Sequence, residues 1–509
     1  MAVDQPFDSG RSWIDELPET RRYSRHGDDR LREECGVFGI FGYPEAAAVT
    51  ALGLHALQHR GQEACGITTY DGQQFHSERR LGLVGDNFNK RDVIGRLQGA
   101  IAIGHNRYST TGEPALKNVQ PLYADIDTGG VAVAHNGNLT NAMALRQDLI
   151  SSGAIFPSTS DTEVILHLLS RSKRRRVVDR FIEAIRQIEG AYALVCLTND
   201  TLIGARDPVG IRPLVLGRVD DAYVLTSETC ALDIVGATFV REIENGEVVV
   251  IAKVGDKTVI ESHWPFGRRP ARPCIFEYIY FARPDSVIGG RSVYDVRKNM
   301  GAELARESPA NADVIVPIPD SGVPAAIGYS QQSGIPFELG IIRNHYVGRT
   351  FIEPSQQIRA LGVKLKHSAN RGVISGKRIV LIDDSVVRGT TSRKIVQLMF
   401  EAGAAEVHMR ISSPPITHPD YYGIDTPQRQ DLMAANLSLE QMRAEIGATS
   451  LAFLSVDGIY RAVGVDARDP CAPQFTDHCF TGEYPTPLTD QNGASLGSPR
   501  QLSLLMEAR

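Results

Sequence analysis

Two groups of residues in this 509-residue chain could carry chemistry, one in each half of the sequence. The first group starts with Cys35, a possible nucleophile that stands directly before an apolar segment. Arg107 and Asn136-Gly137 each follow a segment with the pattern of a strand, and Asp161 stands where a helix is expected to begin. These residues bring a cation, an amide, a flexible backbone N–H and a carboxylate to the ends of predicted strands and helices, where functional sites tend to form.

Each of these residues also has a purely structural interpretation. A cysteine in an apolar segment is usually a small buried hydrophobe, and Asn-Gly is a strong hairpin signal. Asp161 could be charge at a helix start, with Ser160 and Glu163 forming a capping box. Arg107 could form a surface ion pair. Considered one at a time, none of these residues identifies a site.

The second group lies in RIVLIDDSVVRGTTS, residues 378–392. An apolar strand leads into the adjacent Asp383 and Asp384, and a loop then leads into a predicted helix. The segment lacks the Gly-Lys-Ser/Thr of a P-loop. A buried parallel strand with an acidic helix cap is the alternative, but a simple cap needs only one aspartate. The segment therefore favours a binding site at the end of a strand.

Composition limits the classes of function. Hydrophobic residues make up 42% of the chain and charged residues 22%, as in ordinary globular proteins. With 54 basic and 60 acidic side chains and no long basic stripe, nucleic-acid binding is not expected. No apolar run approaches the roughly 18 residues of a membrane span. The polar first 34 residues lack the apolar core of a secretory signal. The seven scattered cysteines argue against a disulfide framework. We therefore expect a cytoplasmic protein.

The chain is too long for one ordinary hydrophobic core, and its patterns indicate two domains between two weakly patterned ends. We expect a leader at 1–34, a first domain at 35–262, a second at 263–485 and a tail at 486–509. The first domain shows many short strands with helical periodicity between them. The second alternates strands with helices, which predicts a parallel sheet in an α/β domain.

The first domain resembles the glutaminase domain of class II amidotransferases, which are N-terminal nucleophile hydrolases. The resemblance rests on Cys35 and on GHNRYSTTG, AHNGNLTN and STSDTE, which occur in the family's order and spacing. It implies an αββα sandwich and removal of the leader, so that Cys35 becomes the nucleophile and its freed α-amine the general base. It further implies an oxyanion hole from Asn136 and the Gly137 N–H. Arg107 would hold the glutamine α-carboxylate and Asp161 the α-ammonium.

The segment 378–392 resembles the phosphoribosyl pyrophosphate motif of type I phosphoribosyltransferases. This implies that Asp383 and Asp384 accept hydrogen bonds from ribose hydroxyls or approach Mg²⁺. The residues expected to bind the substrate around its 5′-phosphate are Ser385, Arg388, Gly389, Thr390 and Thr391. PIPDSG (317–322) would lie beneath the pyrophosphate, with Ser321 near the metal, and NHYVGRTFI (344–352) would close over the substrate with Arg349.

A glutaminase domain followed by a phosphoribosyltransferase domain resembles the amidophosphoribosyltransferase family over roughly residues 35–485. The implied reaction turns phosphoribosyl pyrophosphate, glutamine and water into phosphoribosylamine, pyrophosphate and glutamate, the first committed step of purine synthesis. Family members are homo-oligomers inhibited by purine nucleotides, so we expect a homodimer or homotetramer with that regulation. The alternatives are another class II amidotransferase, such as a hexosamine-phosphate synthase, which would lack 378–392, and a phosphoribosyl-pyrophosphate-binding regulator with a vestigial glutaminase.

Some members of that family hold a [4Fe–4S] cluster on four cysteines. Cys274 matches one ligand position, but Asp420 stands where cluster-bearing members have cysteine. Cys471 and Cys479 are eight positions apart instead of forming C-x-x-C. Because thiolates are the usual cluster ligands, we expect Mg²⁺ as the cofactor and no cluster.

Overall fold

The computed structural model describes residues 35–108, 115–344, 367–424, 426 and 428–492. The expected leader (1–34), Arg349 with its loop and the end of the expected tail lie outside the described residues. Within the described ranges, no helix is both long enough and apolar enough to cross a membrane.

The first domain is built on two antiparallel sheets that lie face to face. Its strands in chain order are β1 (Gly36–Phe41), β2 (Ala64–Tyr70), β3 (Phe75–Leu81), β4 (Ile101–Arg107), β5 (Leu122–Ile126), β6 (Gly129–Leu139), β7 (Gly190–Leu197), β8 (Thr201–Arg206), β9 (Val215–Val219), β10 (Ala222–Thr226), β11 (Thr238–Glu242), β12 (Val248–Val254) and β13 (Lys257–His263). One sheet has seven strands in the order β11-β9-β10-β1-β4-β2-β3, and the other has six in the order β13-β12-β8-β7-β6-β5. Between the sheets, Val37, Ile103 and Val195 are fully buried.

Helices cover the outer face of each sheet. They are α1 (Ala46–Ala56), α2 (Val84–Asn87), α3 (Arg91–Ile94), α4 (Ala142–Ser151), α5 (Thr162–Arg171), α6 (Val177–Ile185) and α7 (Thr229–Ile234), with 3-10 turns at Gln58–Arg60 and Leu116–Asn118. Leu54 and Cys65 belong to the core between the first sheet and α1, and Phe181 and Cys196 to the core beneath α5 and α6. The layers therefore run helix, sheet, sheet, helix, which confirms the expected αββα sandwich.

The second domain confirms the expected parallel sheet. Its strands are β14 (Val287–Ile288), β15 (Arg291–Ser292), β16 (Val314–Pro317), β17 (Ile341–Arg343), β18 (His367–Ala369), β19 (Arg378–Asp383), β20 (Glu406–Ile411) and β21 (Ser450–Phe453). Its helices are α8 (Val293–Glu307), α9 (Val323–Ser333), α10 (Arg371–Ile374), α11 (Thr390–Glu401), α12 (Met433–Asn436), α13 (Leu439–Ile446), α14 (Val456–Ala462), α15 (His478–Thr481) and α16 (Thr489–Asn492), with a π-helix at Glu277–Phe281 and a 3-10 turn at Arg429–Asp431. Strands β16, β19, β20 and β21 are parallel neighbours in that order.

Local sequence explains how β19 and α11 frame a loop. The residues of β19 after its first are all buried, as expected for a parallel strand covered on both faces. Gly389 adopts a left-handed conformation with φ of 77° and stands directly before α11. The apolar face of α11, with Ile395, Val396 and Met399, then packs into the core. Ile379 and Leu381 of β19 belong to the same core, so the loop between strand and helix is held at both ends.

One expectation about the first domain is wrong. The sequence predicts that Asn136-Gly137 follows a strand, but both residues lie inside β6. This strand pairs with β7 through Leu139, with Gly137 opposite Tyr192. The hairpin interpretation of Asn-Gly fails for the same reason, because strand pairing continues through both residues.

The beginning of the expected tail is bound to the first domain. The Asp490 carboxylate accepts hydrogen bonds from the backbone N–H groups of Met143 at 2.9 Å and Ala144 at 3.0 Å, in the first turn of α4. The Asp490 N–H donates to the Thr140 carbonyl at 2.9 Å, and the Thr140 hydroxyl donates to the Pro487 carbonyl at 2.8 Å. The chain thus returns from the second domain to cap a helix of the first.

Candidate active sites

Cys35 lies at the entrance of β1, opposite the end of β4. The pairing of Gly36 with Asn106 brings Cys35 next to Arg107, the last residue of β4. Its thiol donates a hydrogen bond to the Tyr108 carbonyl at 3.6 Å. Burial raises the pKa of the Cys35 thiol to about 11, with Arg107 lowering this pKa and Asp161 raising it. The thiol is therefore protonated near neutral pH, and a cation and a carboxylate both act on it.

Asn136 and Gly137 face this entrance from β6. The Asn136 amide donates to the Ser227 hydroxyl at 3.4 Å, and the same hydroxyl accepts the Val37 N–H at 3.0 Å. Gly137 has φ of 136°, and a Cβ at this position would stand 2.1 Å from the Ala191 carbonyl oxygen. Only glycine fits there. Ser227, which the sequence reasoning did not single out, therefore connects the amide of Asn136 to the strand that begins after Cys35.

Asp161 stands at the start of α5, as expected, and its side chain accepts the Thr162 N–H at 2.7 Å. Its other oxygen accepts the N–H of Leu139, two residues beyond Gly137, at 3.0 Å. Burial works to raise the pKa of Asp161, but His135, at 3.6 Å, and the backbone N–H bonds hold it below its usual value. Asp161 is thus an anion held beside β6.

The alternative capping box at this helix is absent. Glu163 accepts hydrogen bonds from the backbone N–H and the hydroxyl of Ser158, not from Ser160. The side chain that caps α5 is therefore that of Asp161 itself.

Arg60 is a buried charge that sequence reasoning missed. Its Nε donates to the Cys35 carbonyl at 3.2 Å, and its other nitrogens donate to Glu228 at 2.6 Å and Glu277 at 2.7 Å. Burial alone would lower the pKa of Arg60, but the two carboxylates raise it well above its usual value. The sequence offered one weak signal, an arginine between two apolar elements, and its two carboxylate partners lie more than 160 positions away.

The second candidate site lies at the carboxyl ends of β16 and β19. The Ile318 N–H donates to the Ile382 carbonyl at 2.8 Å and extends the pairing of the two strands. A Cβ on Gly322 would stand 2.5 Å from the same oxygen, so the turn that contains Ser321 packs directly on the end of β19. Two of the predicted loops, PIPDSG and DDSVVRGTT, are thereby brought side by side, in the place where open α/β sheets bind ligands.

The two aspartates of this site are fixed by short-range hydrogen bonds. Asp383 accepts the Asp384 N–H at 3.0 Å, and Asp384 accepts the Ser385 hydroxyl at 2.6 Å. Both aspartates are buried, at 8% and 6% exposure, whereas Ser321, Ser385, Arg388 and Thr391 are half-buried and Thr390 is exposed. The start of α11 has no side-chain cap, so its first N–H groups remain oriented toward an anion at this loop.

The π-helix Glu277–Phe281 lies between the two candidate sites. Glu277, at its start, holds Arg60. Arg297 of α8 donates to the carbonyl of Tyr278, near the start of the π-helix, at 2.7 Å and to that of Ala282, which follows the π-helix, at 2.8 Å. Burial lowers the pKa of Arg297 to about 10, and Asp384 acts in the opposite direction. Buried charged side chains therefore connect the carbonyl of Cys35 to the surroundings of Asp384.

The residues at the positions of the family's iron–sulfur ligands do not fit a four-thiolate cluster. Cys274, Asp420 and Cys479 are buried; burial raises the pKa of both thiols, and Asp420 acts on each in the same direction. Cys471, in contrast, is exposed. Two thiols and a carboxylate therefore stand where four thiolates are needed.

Comparison with known proteins identifies relatives of each domain and of the whole chain. A glutamine amidotransferase domain family matches residues 105–233, and a phosphoribosyl transferase domain family matches residues 291–412. An amidophosphoribosyltransferase of Rhizobium etli is 62% identical over 94% of this chain and 96% of that protein. One of Bacillus subtilis is 50% identical over 90% of this chain and 95% of that protein. A solved structure of glutamine phosphoribosylpyrophosphate amidotransferase from B. subtilis, complexed with ADP and GMP, has a TM-score of 0.84 and 48% identity and covers 89% of this chain and 98% of that one.

Proposed function

The chain belongs to the amidophosphoribosyltransferases, glutamine-dependent pentosyltransferases of purine biosynthesis, and from this premise we propose how its residues divide the reaction. The site around Cys35 releases ammonia from glutamine. The site around Asp383 and Asp384 uses that ammonia to displace pyrophosphate from phosphoribosyl pyrophosphate. The products are phosphoribosylamine, pyrophosphate and glutamate.

In the first half of the reaction, cleavage after Glu34 frees the α-amine of Cys35. With a pKa of about 7.7–8.0, this amine takes the thiol proton near neutral pH. The thiolate attacks the amide carbon of glutamine, and the Asn136 amide and the Gly137 N–H stabilise the resulting oxyanion. Collapse expels ammonia and leaves a thioester on Cys35, which water hydrolyses to glutamate. Arg107 and Asp161 hold the α-carboxylate and α-ammonium of glutamine.

In the second half, Asp383 and Asp384 hold the ribose hydroxyls, and the loop that follows holds the 5′-phosphate on its N–H groups and on Thr390 and Thr391. Ser321, Asp383 and Asp384 offer the oxygen ligands that Mg²⁺ prefers, and Mg²⁺ when bound would neutralise charge on the departing pyrophosphate. Ammonia attacks the anomeric carbon, pyrophosphate leaves, and the ammonium formed loses a proton to give the amine. Ser385, Arg388 and Gly389 belong to the same phosphate-binding loop, and Arg349 supplies charge to the pyrophosphate.

One observation carries the proposal for the first site. Arg107 ends β4 beside Cys35, and Asp161 is bound to β6 two residues beyond Gly137, so that two opposite charges both act on the Cys35 thiol. Free glutamine carries one anionic and one cationic group on its α-carbon, and a pocket for it needs both counter-charges beside the nucleophile. The regulator alternative provides no reason for this arrangement, because a binding protein needs no thiol between the two charges.

The finer properties are proposals as well. We propose inhibition by purine nucleotides, because the B. subtilis structure was solved with ADP and GMP, and a homodimer or homotetramer. We also propose a reducing, cytoplasmic location, because the seven cysteines are all unpaired thiols. No nucleic acid or membrane takes part.

The first experiment measures glutamate and pyrophosphate released from glutamine with Mg²⁺, with and without phosphoribosyl pyrophosphate. Equimolar release that depends on phosphoribosyl pyrophosphate is expected. Glutamate release without pyrophosphate would mean a different acceptor. No release from a chain whose N-terminal mass still includes residues 1–34 would favour the regulator.

Two variants test the division between the sites. Cys35→Ala should abolish glutamine use and retain synthesis from ammonium salts, whereas Asp384→Asn should impair both by about two orders of magnitude or more, as expected when positioning at the reacting centre is lost. Exposed matched controls are Cys471→Ala and Asp466→Asn, which should leave both activities unchanged. Loss of both activities in Cys35→Ala, or full activity in Asp384→Asn, would contradict the assignment.

A further inference from the structure

A buried cluster outside both candidate sites consists of Asp420, His478 and Cys479. Their exposures are 7%, 1% and 2%. The His478 Nε2 lies 2.7 Å from Asp420 Oδ1 and 3.4 Å from Cys479 Sγ, and the three ligand atoms all lie within 4.8 Å of one another. The proposed reaction uses none of these residues.

The two oxygens of Asp420 have different surroundings. Oδ2 accepts the N–H groups of Tyr422 at 2.8 Å and Ile424 at 2.7 Å. Oδ1 lies 2.7 Å from the His478 Nε2 and accepts no further hydrogen bond among the described residues. A buried carboxylate oxygen with a single imidazole contact is stabilised further by a cation bound beside it.

The donor set identifies the cation by its chemistry. An imidazole nitrogen, a thiol sulfur and a carboxylate oxygen together favour Zn²⁺ over Mg²⁺, which prefers oxygen alone. With bonds of about 2.0–2.3 Å, the ligand atoms of a tetrahedral zinc site lie roughly 3.3–3.8 Å apart. The distance of 3.4 Å between Nε2 and Sγ already fits this range, and the remaining atoms need shifts of about one ångström or less.

Outside this group of three, the Cys274 thiol lies on a neighbouring segment and acts electrostatically on Cys479. The backbone of Cys274 pairs with Thr476, and the N–H of Ile275 donates to the Thr476 carbonyl at 3.2 Å. This pairing brings a second buried thiol next to the segment that carries His478 and Cys479. We propose that Asp420, His478 and Cys479, with Cys274 as the fourth ligand, bind one Zn²⁺ as a closed structural site. The site joins the segment that precedes the π-helix, the loop after β20 and the start of α15.

Zinc content of the full-length enzyme tests this proposal. The protein is first saturated with Mg²⁺, which occupies the substrate site, and is then incubated with Zn²⁺. Gel filtration removes unbound metal, and elemental mass spectrometry measures the zinc that remains bound. The wild type should retain about one zinc per chain, as a closed four-ligand site does. The exposed-cysteine control Cys471→Ser should retain as much, whereas Cys479→Ser and Asp420→Asn should lose at least about nine-tenths of it, since each removes a direct ligand.

Cobalt provides a readout that does not depend on how well the variants fold. Wild-type protein loaded with Co²⁺ should show the visible absorption of a tetrahedral site and a thiolate-to-cobalt band, and Zn²⁺ should abolish both by displacement. Wild-type protein without zinc or a cobalt spectrum would overturn the proposal, and so would undiminished zinc in folded Cys479→Ser. Bound iron together with acid-labile sulfide would show that an iron–sulfur cluster occupies this site instead of zinc, and would also overturn the proposal. Catalytic activity does not enter these outcomes, so the proposed function stands or falls separately.

Discussion

Replacing Ser227 by alanine should slow the glutamine-dependent reaction and spare the ammonia-dependent one. The Ser227 hydroxyl accepts the Val37 N–H at 3.0 Å and the Asn136 amide at 3.4 Å, so the variant leaves a buried N–H unpaired and frees the proposed oxyanion donor. The unpaired N–H should cost about 1–3 kcal/mol of folding free energy. One oxyanion donor is worth about 2.7–4 kcal/mol, and losing about half of that would lower kcat about 10- to 30-fold.

The assay compares kcat and KM for glutamine with kcat for ammonium, at saturating phosphoribosyl pyrophosphate. Only kcat for glutamine should fall, because Ser227 positions Asn136 without contacting the glutamine α-carbon groups. Thr226→Val is the matched control, since the Thr226 hydroxyl is buried and has no hydrogen-bond partner among the described residues. An unchanged kcat for glutamine, or an equal loss with both ammonia sources, would refute the reasoning.

Three further changes probe the thiol, the helix cap and the phosphate loop. In the uncleaved chain, burial raises the pKa of Cys35 to about 11, so the rate of its alkylation by iodoacetamide should rise with pH up to that value. In the cleaved enzyme the rate should level off near pH 8, about the pKa of an α-amine. Identical pH profiles for the two forms would exclude the amine as the base. Asp490→Ala removes the acceptor for two N–H groups of α4 and should cost about 1 kcal/mol, whereas an unchanged urea midpoint would show that the cap contributes nothing. Gly389→Ala combines a left-handed φ with a Cβ 2.5 Å from Met433 Sδ, so it should raise the KM for phosphoribosyl pyrophosphate with both ammonia sources. Gly447→Ala, with a similar φ and open space around it, should cost stability alone, about 1–2 kcal/mol, and an equal KM change in both variants would contradict this.

The parts of the sites that depend on strand ends could be predicted from the sequence. An apolar run followed by two aspartates predicts both β19 and the position of Asp383 and Asp384, because the carboxyl ends of neighbouring parallel strands meet at one edge. The turn with Ser321 was assigned to this site by the family resemblance, and in the structure it packs on the end of β19. Asp161 was predicted at a helix start, and it caps α5. In each case the information lies within a dozen residues of the site.

Features that depend on long-range pairing could not be predicted in this way. Asn-Gly favours a hairpin locally, but the pairing of β6 with β7 continues through both residues and determines their conformation. Ser227 lies 190 positions from Val37 in sequence, and nothing in its own segment indicates that contact. Glu163 fits the capping-box pattern with Ser160, but its carboxylate instead binds Ser158. Local patterns identify candidate polar residues, whereas the tertiary fold determines which of them are in contact.

Buried arginines on either side of the π-helix anchor it between the two candidate sites. Arg60 binds both the Cys35 carbonyl and Glu277, and Arg297 binds the carbonyls of Tyr278 and Ala282. Breaking a buried ion pair by removing one partner typically costs about 3–5 kcal/mol, so the π-helix cannot move away from Arg60 without a penalty of that order. In the proposed reaction, ammonia released at Cys35 is useful only if it reaches the second site before water protonates it. A rigid, charge-anchored segment between the sites meets that requirement, whereas a flexible linker would let the distance vary.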